Sequence, residues 1–380
     1  YLAQLYYSQK QYEKAIKEFE IILSLNPTEN ADLVYLLGTL YLETQNKPKA
    51  LELFNRALKI NPNVAEGHNA LGMALMADED YDNAITEFRA ALKLNPNLLE
   101  AHNQLGLAYI NKRDADSAIA ELQTVVKQDP NNLAGNHNLG LALIQRSDYN
   151  AAIDIYRMLI ALNANDAEAH YNLGLALKYK DDFPGAIAAF QRSIELQPNL
   201  QEAYYSLGIT QMQIGKLDEA ITAFRGAIKA RPDWADAHYT LGTALQQKGD
   251  LNGAIAAFRE AIRIAPNSPQ VHNTLGTALR QKGDAEGAKV EFAEAARLNK
   301  LKSNNQAATF ATNTGVQKMK EGDLAAAIEF FERAIKLDAD YAPAHYNLGL
   351  ALLKKGNKEA AQAAFTKANQ LDSHLKPPRP

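Results

Sequence analysis

Eight glycines, Gly38, Gly72, Gly106, Gly140, Gly174, Gly208, Gly242 and Gly276, stand 34 residues apart. A period of that length across most of a chain restricts the fold to a stack of one repeated supersecondary unit, because no single copy can bury its apolar face alone. Twelve residues after each glycine stands an alanine: Ala50, Ala84, Ala118, Ala152, Ala186, Ala220, Ala254 and Ala288. Four residues further on comes a large side chain, most often phenylalanine, as at Phe54, Phe88, Phe190, Phe224, Phe258 and Phe292.

Between these marks the apolar residues recur at three and four, as in Ala254, Ile255, Phe258, Ala261 and Ile262. That spacing is one stripe of an amphipathic helix, and alternation of the strand type is nowhere suggested. The pairs Gly249-Asp250, Gly283-Asp284 and Gly322-Asp323 put a glycine able to take positive φ after one helix and a capping carboxylate before the next. Pro62, Pro96, Pro130, Pro198, Pro232 and Pro266 fall where the second helix has to stop. Each repeat is therefore predicted to be a helix, a tight turn and a second helix.

The pattern L-G-x-x-Y, then A-x-x-x-F, then P resembles the tetratricopeptide repeat (TPR) family, and it covers essentially the whole chain. The resemblance implies an all-α α-solenoid, a right-handed superhelix whose first helices line the concave face. The register gives about eleven repeats: nine over 1–302, the first lacking its opening residues, and two more over 308–375, ahead of a Pro-rich tail at 376–380. From Gly276 to Gly315 the spacing is 39 residues, so 303–307 carry an insertion, read as a joint.

Forty Lys plus Arg against 44 Asp plus Glu leave a formal charge of −4, so there is no basic field to recruit phosphate backbones and nucleic acid is not expected as a partner. Cysteine is absent, which removes disulfides, thiol nucleophiles and Cys-ligated metals, and leans the expected compartment outside the cytoplasm. No apolar run approaches the ~20 residues that span a bilayer, so a soluble chain without membrane insertion is expected. The chain opens on Tyr1 with no signal-peptide pattern, and its natural start is expected to lie upstream.

Six histidines, His68, His102, His170, His238, His272 and His345, share the position four before the glycine. A metal ladder is the tempting interpretation. Adjacent helices pack ~8–10 Å apart and zinc–nitrogen bonds are ~2.0 Å, so rings one repeat apart cannot share an ion, and rings packed between helices are expected instead. Phosphate-loop, dinucleotide, metalloprotease and nucleophile-elbow motifs are missing, and the repeat absorbs nearly every residue. The expectation is a non-enzymatic chain with no cofactor, metal or catalytic residues.

What remains is a surface for protein or peptide. Asn103, Tyr171, Tyr205, Tyr239 and Asn273 stand three before the glycine, Asn138 and Asn172 two before it. Amide side chains donate and accept at once, so such a column can hold an extended backbone without reading its sequence. It is similar to the asparagine ladder of TPR regions in O-linked N-acetylglucosamine transferases, though few of its members are consecutive. Leu107 and Leu141, directly after the glycine, stand where carboxylate-clamp TPR domains carry asparagine. Met76, Ile110, Ile144 and Met212 extend an apolar lane that suits an apolar ligand and equally suits packing between first helices. A structural alternative is head-to-tail self-association into a filament, through Leu2, Leu5 and Tyr6 at one end and Leu348, Leu352 and Phe365 at the other.

Overall fold

A computed structural model describes residues 2–25 and 30–378, and its regular structure is entirely α-helical. The chain forms two compact units, residues 1–230 and 231–380. The first contains α1 (Leu2–Ser8), α2 (Tyr12–Leu25), α3 (Ala31–Glu43), α4 (Lys47–Ile60), α5 (Ala65–Ala77), α6 (Tyr81–Leu94) and α7 (Leu99–Asn111). It continues with α8 (Ala115–Gln128), α9 (Leu133–Gln145), α10 (Tyr149–Leu162), α11 (Ala167–Tyr179), α12 (Phe183–Leu196), α13 (Gln201–Gln213) and α14 (Leu217–Ala230). The second contains α15 (Ala235–Lys248), α16 (Leu251–Ile264), α17 (Pro269–Lys282), α18 (Ala285–Lys320), α19 (Leu324–Leu337), α20 (Ala342–Lys354) and α21 (Lys358–Leu371).

In each unit consecutive helices pair as antiparallel hairpins, and each hairpin packs on the next in sequence. The glycine and the large residue of the repeat meet inside each hairpin from α3–α4 onward. A Cβ on Gly174 would lie 2.6 Å from the Phe190 ring, and one on Gly140 would lie 2.5 Å from Tyr156. Carbon atoms settle ~3.5–4.0 Å apart, so only a residue without a side chain lets the two helices close over the ring. The alanines twelve residues on, such as Ala186 and Ala220, are fully buried in the same seam.

Turn chemistry follows the expected scheme in the second unit and varies it in the first. Gly249 has φ +88° and Gly283 φ +94°, and the Asp250 and Asp284 side chains accept from the backbone N–H three residues on, both at 2.9 Å. At the equivalent turn position the first unit has Gly215, with φ +77°, and otherwise Lys10, Gln45, Glu79, Arg113, Ser147 and Asp181, all in the left-handed region with φ between 56° and 70°. Acidic residues open the first turns of α3, α5, α7, α11, α13 and α15, where they oppose the helix dipole.

The register slip has an unexpected form. Residues 303–307 are not a turn between hairpins but lie within α18, a continuous helix of 36 residues that serves as second helix of one repeat and first helix of the next. Lys300 stands where the neighbouring repeats place Pro232 and Pro266, and 299–307 contain neither proline nor glycine, so nothing there obliges the helix to stop. At 1.5 Å per residue it is ~54 Å long.

Candidate functional site

Successive first helices of the first unit, α5, α7, α9, α11 and α13, contact one another side by side. With ~100° per residue, positions three before, one after and four after the glycine share one stripe of each first helix. Positions four before, one before and three after lie on the other side, against the second helices. The first stripe carries the candidate groove.

Within this unit the structure brings together Asn103 and Leu107 on α7, Asn138 and Leu141 on α9, Tyr171 on α11 and Tyr205 on α13, all half-exposed. Asn138 Nδ2 donates to Asn103 Oδ1 at 3.0 Å, and Gln145 Nε2 donates to the Ile110 carbonyl at 3.1 Å, so polar bonds stitch α9 to α7 along the stripe. Tyr171 and Tyr205 rest on Phe190 and Phe224 with ring centroids 5.9 and 5.8 Å apart. Burial, only partly offset by a hydrogen bond with Ser206, raises the Tyr171 hydroxyl above its ordinary range, so it stays protonated.

Asn172 is not part of this surface: it is only 3% exposed, its position turned into the seam between adjacent first helices. Tyr239 and Asn273 belong to the second unit. There Tyr239 packs on Phe258, its hydroxyl accepts from Gln270 Nε2 at 2.9 Å, and Asn273 is exposed.

Two groove residues, Lys178 and Gln145, escaped the sequence reading, while His137 stands three before Gly140 with the polar column. Lys178 occupies the lane position of Ile144 and Met212, and burial lowers its pKa below the ordinary 10.5. His137 Nε2 meets Asp166 at 2.9 Å, while its Nδ1 and the Oε1 of Gln145 are buried without partners among the described residues. Such tertiary details leave no trace in residue spacing; only the exchange of an apolar lane residue for lysine was visible.

The shared histidines serve as clamps between repeats. His68, His102 and His272 direct Nε2 at the carbonyls of Pro62, Pro96 and Pro266, at 3.0, 3.1 and 3.0 Å, and Nδ1 at Glu87, Glu121 and Glu291, each at 2.6 Å. His170, His238 and His345 keep the carbonyl contact, at 3.2, 3.0 and 2.8 Å. No cluster of three or more His, Cys, Asp or Glu among the described residues could hold a metal, and no described helix is long and apolar enough to cross a membrane.

Of the residues expected at self-associating ends, Leu2 and Leu5 are 48% and 51% exposed, and Tyr6 is half-buried with Lys14 over its ring. Leu348 and Leu352 are half-buried, and Phe365 is 3% exposed because it fills the close approach at Gly349. Phe365 therefore offers nothing to a second copy.

Among solved structures, a tetratricopeptide repeat protein from Parabacteroides merdae is similar, with TM-score 0.55 at 14% identity, over 66% of this chain and 98% of its own. It shares the fold. MamA from Desulfovibrio magneticus matches at 25% identity and TM-score 0.42, over 44% of this chain and 96% of its own. YrrB, described as a TPR protein with an unusual peptide-binding site, matches at 22% identity and TM-score 0.40, over 52% and 97%. The curated proteins contain no significant match. Family models described as tetratricopeptide repeat match residues 6–74, 69–132, 167–200, 205–269 and 342–374, and one described as TPR repeat matches 140–181 and 315–356. With hairpin after hairpin built on the same glycine-and-phenylalanine seam and these models spanning most of its length, the chain belongs to the tetratricopeptide repeat family.

Proposed function

We propose that this protein-interaction scaffold holds a polypeptide segment along the first-helix stripe of its first unit, between α7 and α13. The observation that carries the reading is the repetition itself. Half-exposed polar and aromatic side chains recur on one face of adjacent first helices, from Asn103 to Asn138, Tyr171 and Tyr205, with Leu107 and Leu141 between them. Amides supply donors and acceptors to a peptide backbone, and tyrosines supply broad, stiff contact area with a polar tip. Lys178, in this lane, favours a segment that brings a carboxylate, since an anion beside a desolvated ammonium restores part of what burial costs it.

A peptide array probed with the full chain, followed by titration of the peptides that bind, tests this. Replacing Asn138, Tyr171 and Tyr205 together by alanine is expected to weaken those peptides by at least roughly tenfold, about 1.4 kcal/mol. Unchanged affinity for every peptide would refute the groove.

A further inference from the structure

The side of α13 turned away from the groove carries a second feature. Between the second helices α12 and α14, with α13 as its base, lies a cavity of about 660 Å3. Its floor is apolar, made by Ile194 of α12, Tyr204 and Leu207 of α13 and Ala223 of α14.

This spot departs from the repeat's own pattern. The position that is histidine in six repeats is Tyr204 here, and its ring lies over Gly226, where a Cβ would come within 2.4 Å of it. The position filled by Leu75, Leu143, Leu177, Leu245 and Leu279 is Gln211. In the last turn of the second helix, where Lys93, Lys127, Lys229 and Arg263 stand in other repeats, α12 carries Glu195. All three exchanges line the same cavity.

Two of the exchanges leave something for a ligand to satisfy. Gln211 is 6% exposed, and its Oε1 has no hydrogen-bond partner among the described residues. A buried unpaired carbonyl oxygen is unfavourable, and the leucine of other repeats would avoid it; with the side chain turned toward the cavity, it would accept an N–H brought by a ligand. Glu195 sits at a helix C-terminus, where the dipole disfavours a carboxylate. Its partner is Arg192, Nη1 at 2.9 Å, in an exposed bridge of the kind that contributes little and yields to a competing cation. Asp218 and Glu219, in the first turn of α14, add negative charge to the rim, and none of the lining residues is basic.

The complement of an apolar floor, a buried acceptor and a carboxylate rim is a long aliphatic stem ending in a cation with several N–H donors. Arginine fits best. Its guanidinium has five donors in a fixed fork, is less tightly hydrated than an ammonium and stacks on a tyrosine face. We propose that the cavity between α12 and α14 is a docking pocket for an arginine side chain presented by a partner polypeptide, with Gln211 Oε1 and the carboxylate rim as acceptors. It is a second contact point, on the opposite side of α13 from the groove, and does not depend on it.

The full chain would be titrated with the N-acetyl, N-methylamide derivatives of arginine, lysine and norleucine, binding being followed by NMR of labelled Ile and Leu methyl groups. The arginine derivative is expected to bind at least roughly tenfold tighter than the uncharged norleucine derivative, and to lose that advantage as salt rises. Gln211→Leu and Glu195→Lys, which install residues that other repeats carry, are each expected to weaken it by roughly tenfold while leaving the melting curve no lower. Tyr171→Ala and Tyr205→Ala in the groove should leave it unchanged. Equal binding of norleucine, lysine matching arginine, no binding at all, or full affinity in Gln211→Leu would each overturn the proposal.

Discussion

The close approach of Gly174 to Phe190 can be tested as a mechanical fit. In Gly174→Ala the new methyl would lie 2.6 Å from two carbons of the ring, about 1 Å inside van der Waals contact. The ring is fully buried and has Tyr171 against it at 5.9 Å between centroids, so retreat displaces a second side chain. Overpacking of this kind costs ~1–3 kcal/mol, and the better helix propensity of alanine returns ~0.5–1, leaving a net loss of ~1–2 kcal/mol. Gly249→Ala makes a contrast, because no atom lies within 4 Å of its added Cβ and the strain comes from φ +88° alone. Hydrogen exchange read separately on the peptides of α11 and α12 suits an array in which each hairpin touches only its neighbours. Phe190→Leu should relieve part of the clash, so that Gly174→Ala and Phe190→Leu together cost at least ~1 kcal/mol less than their sum, whereas Gly249→Ala and Phe190→Leu should add. Full protection in Gly174→Ala, or strict additivity with Phe190→Leu, would mean that the glycine is not there for the ring.

His272→Ala strands the Pro266 carbonyl and Glu291 at once, and is expected to lower protection of α17 and α18 by ~2–3 kcal/mol. Lys178 loses its proton at lower pH in the folded chain than in the unfolded one, so stability should rise with pH through the alkaline range up to about 10.5; Lys178→Met should flatten that slope in a denaturant series run from neutral to alkaline pH. Exchanging Gln45, Glu79, Arg113, Ser147 and Asp181 for glycine relieves five left-handed residues, at ~0.5 kcal/mol net each, and should raise the denaturation midpoint of the first unit.

The hairpins were legible because the residues that define them act locally: Gly174 against Phe190 within one hairpin, Asp250 capping its own helix, Pro232 ending one. The groove was legible as a stripe but not in its detail. Asn172 and Asn138 hold the same position, yet one is in the seam and the other at the surface, since exposure there depends on how closely adjacent first helices approach. Phe365 looked like an open end because spacing gives a residue's face and not what already covers it. Lys300 was only a partial sign that α18 continues, because Ala164 and Ala339 stand at the same position without proline and still follow helices that end. Gln211 carried an unread signal: a polar residue at a position that most repeats fill with leucine.

Under tension, α18 sets the second unit apart from the first. A hairpin array pulled from its ends can give way one helical pair at a time, because short linkers separate the hydrogen-bond ladders of neighbouring pairs. From Ala285 to Lys320 there is no such linker, and one uninterrupted ladder belongs to two pairs at once. Peeling either pair therefore loads the other, and the chain paid out in that event is longer than one repeat. In a force–extension trace the second unit would contribute one large step among the small ones.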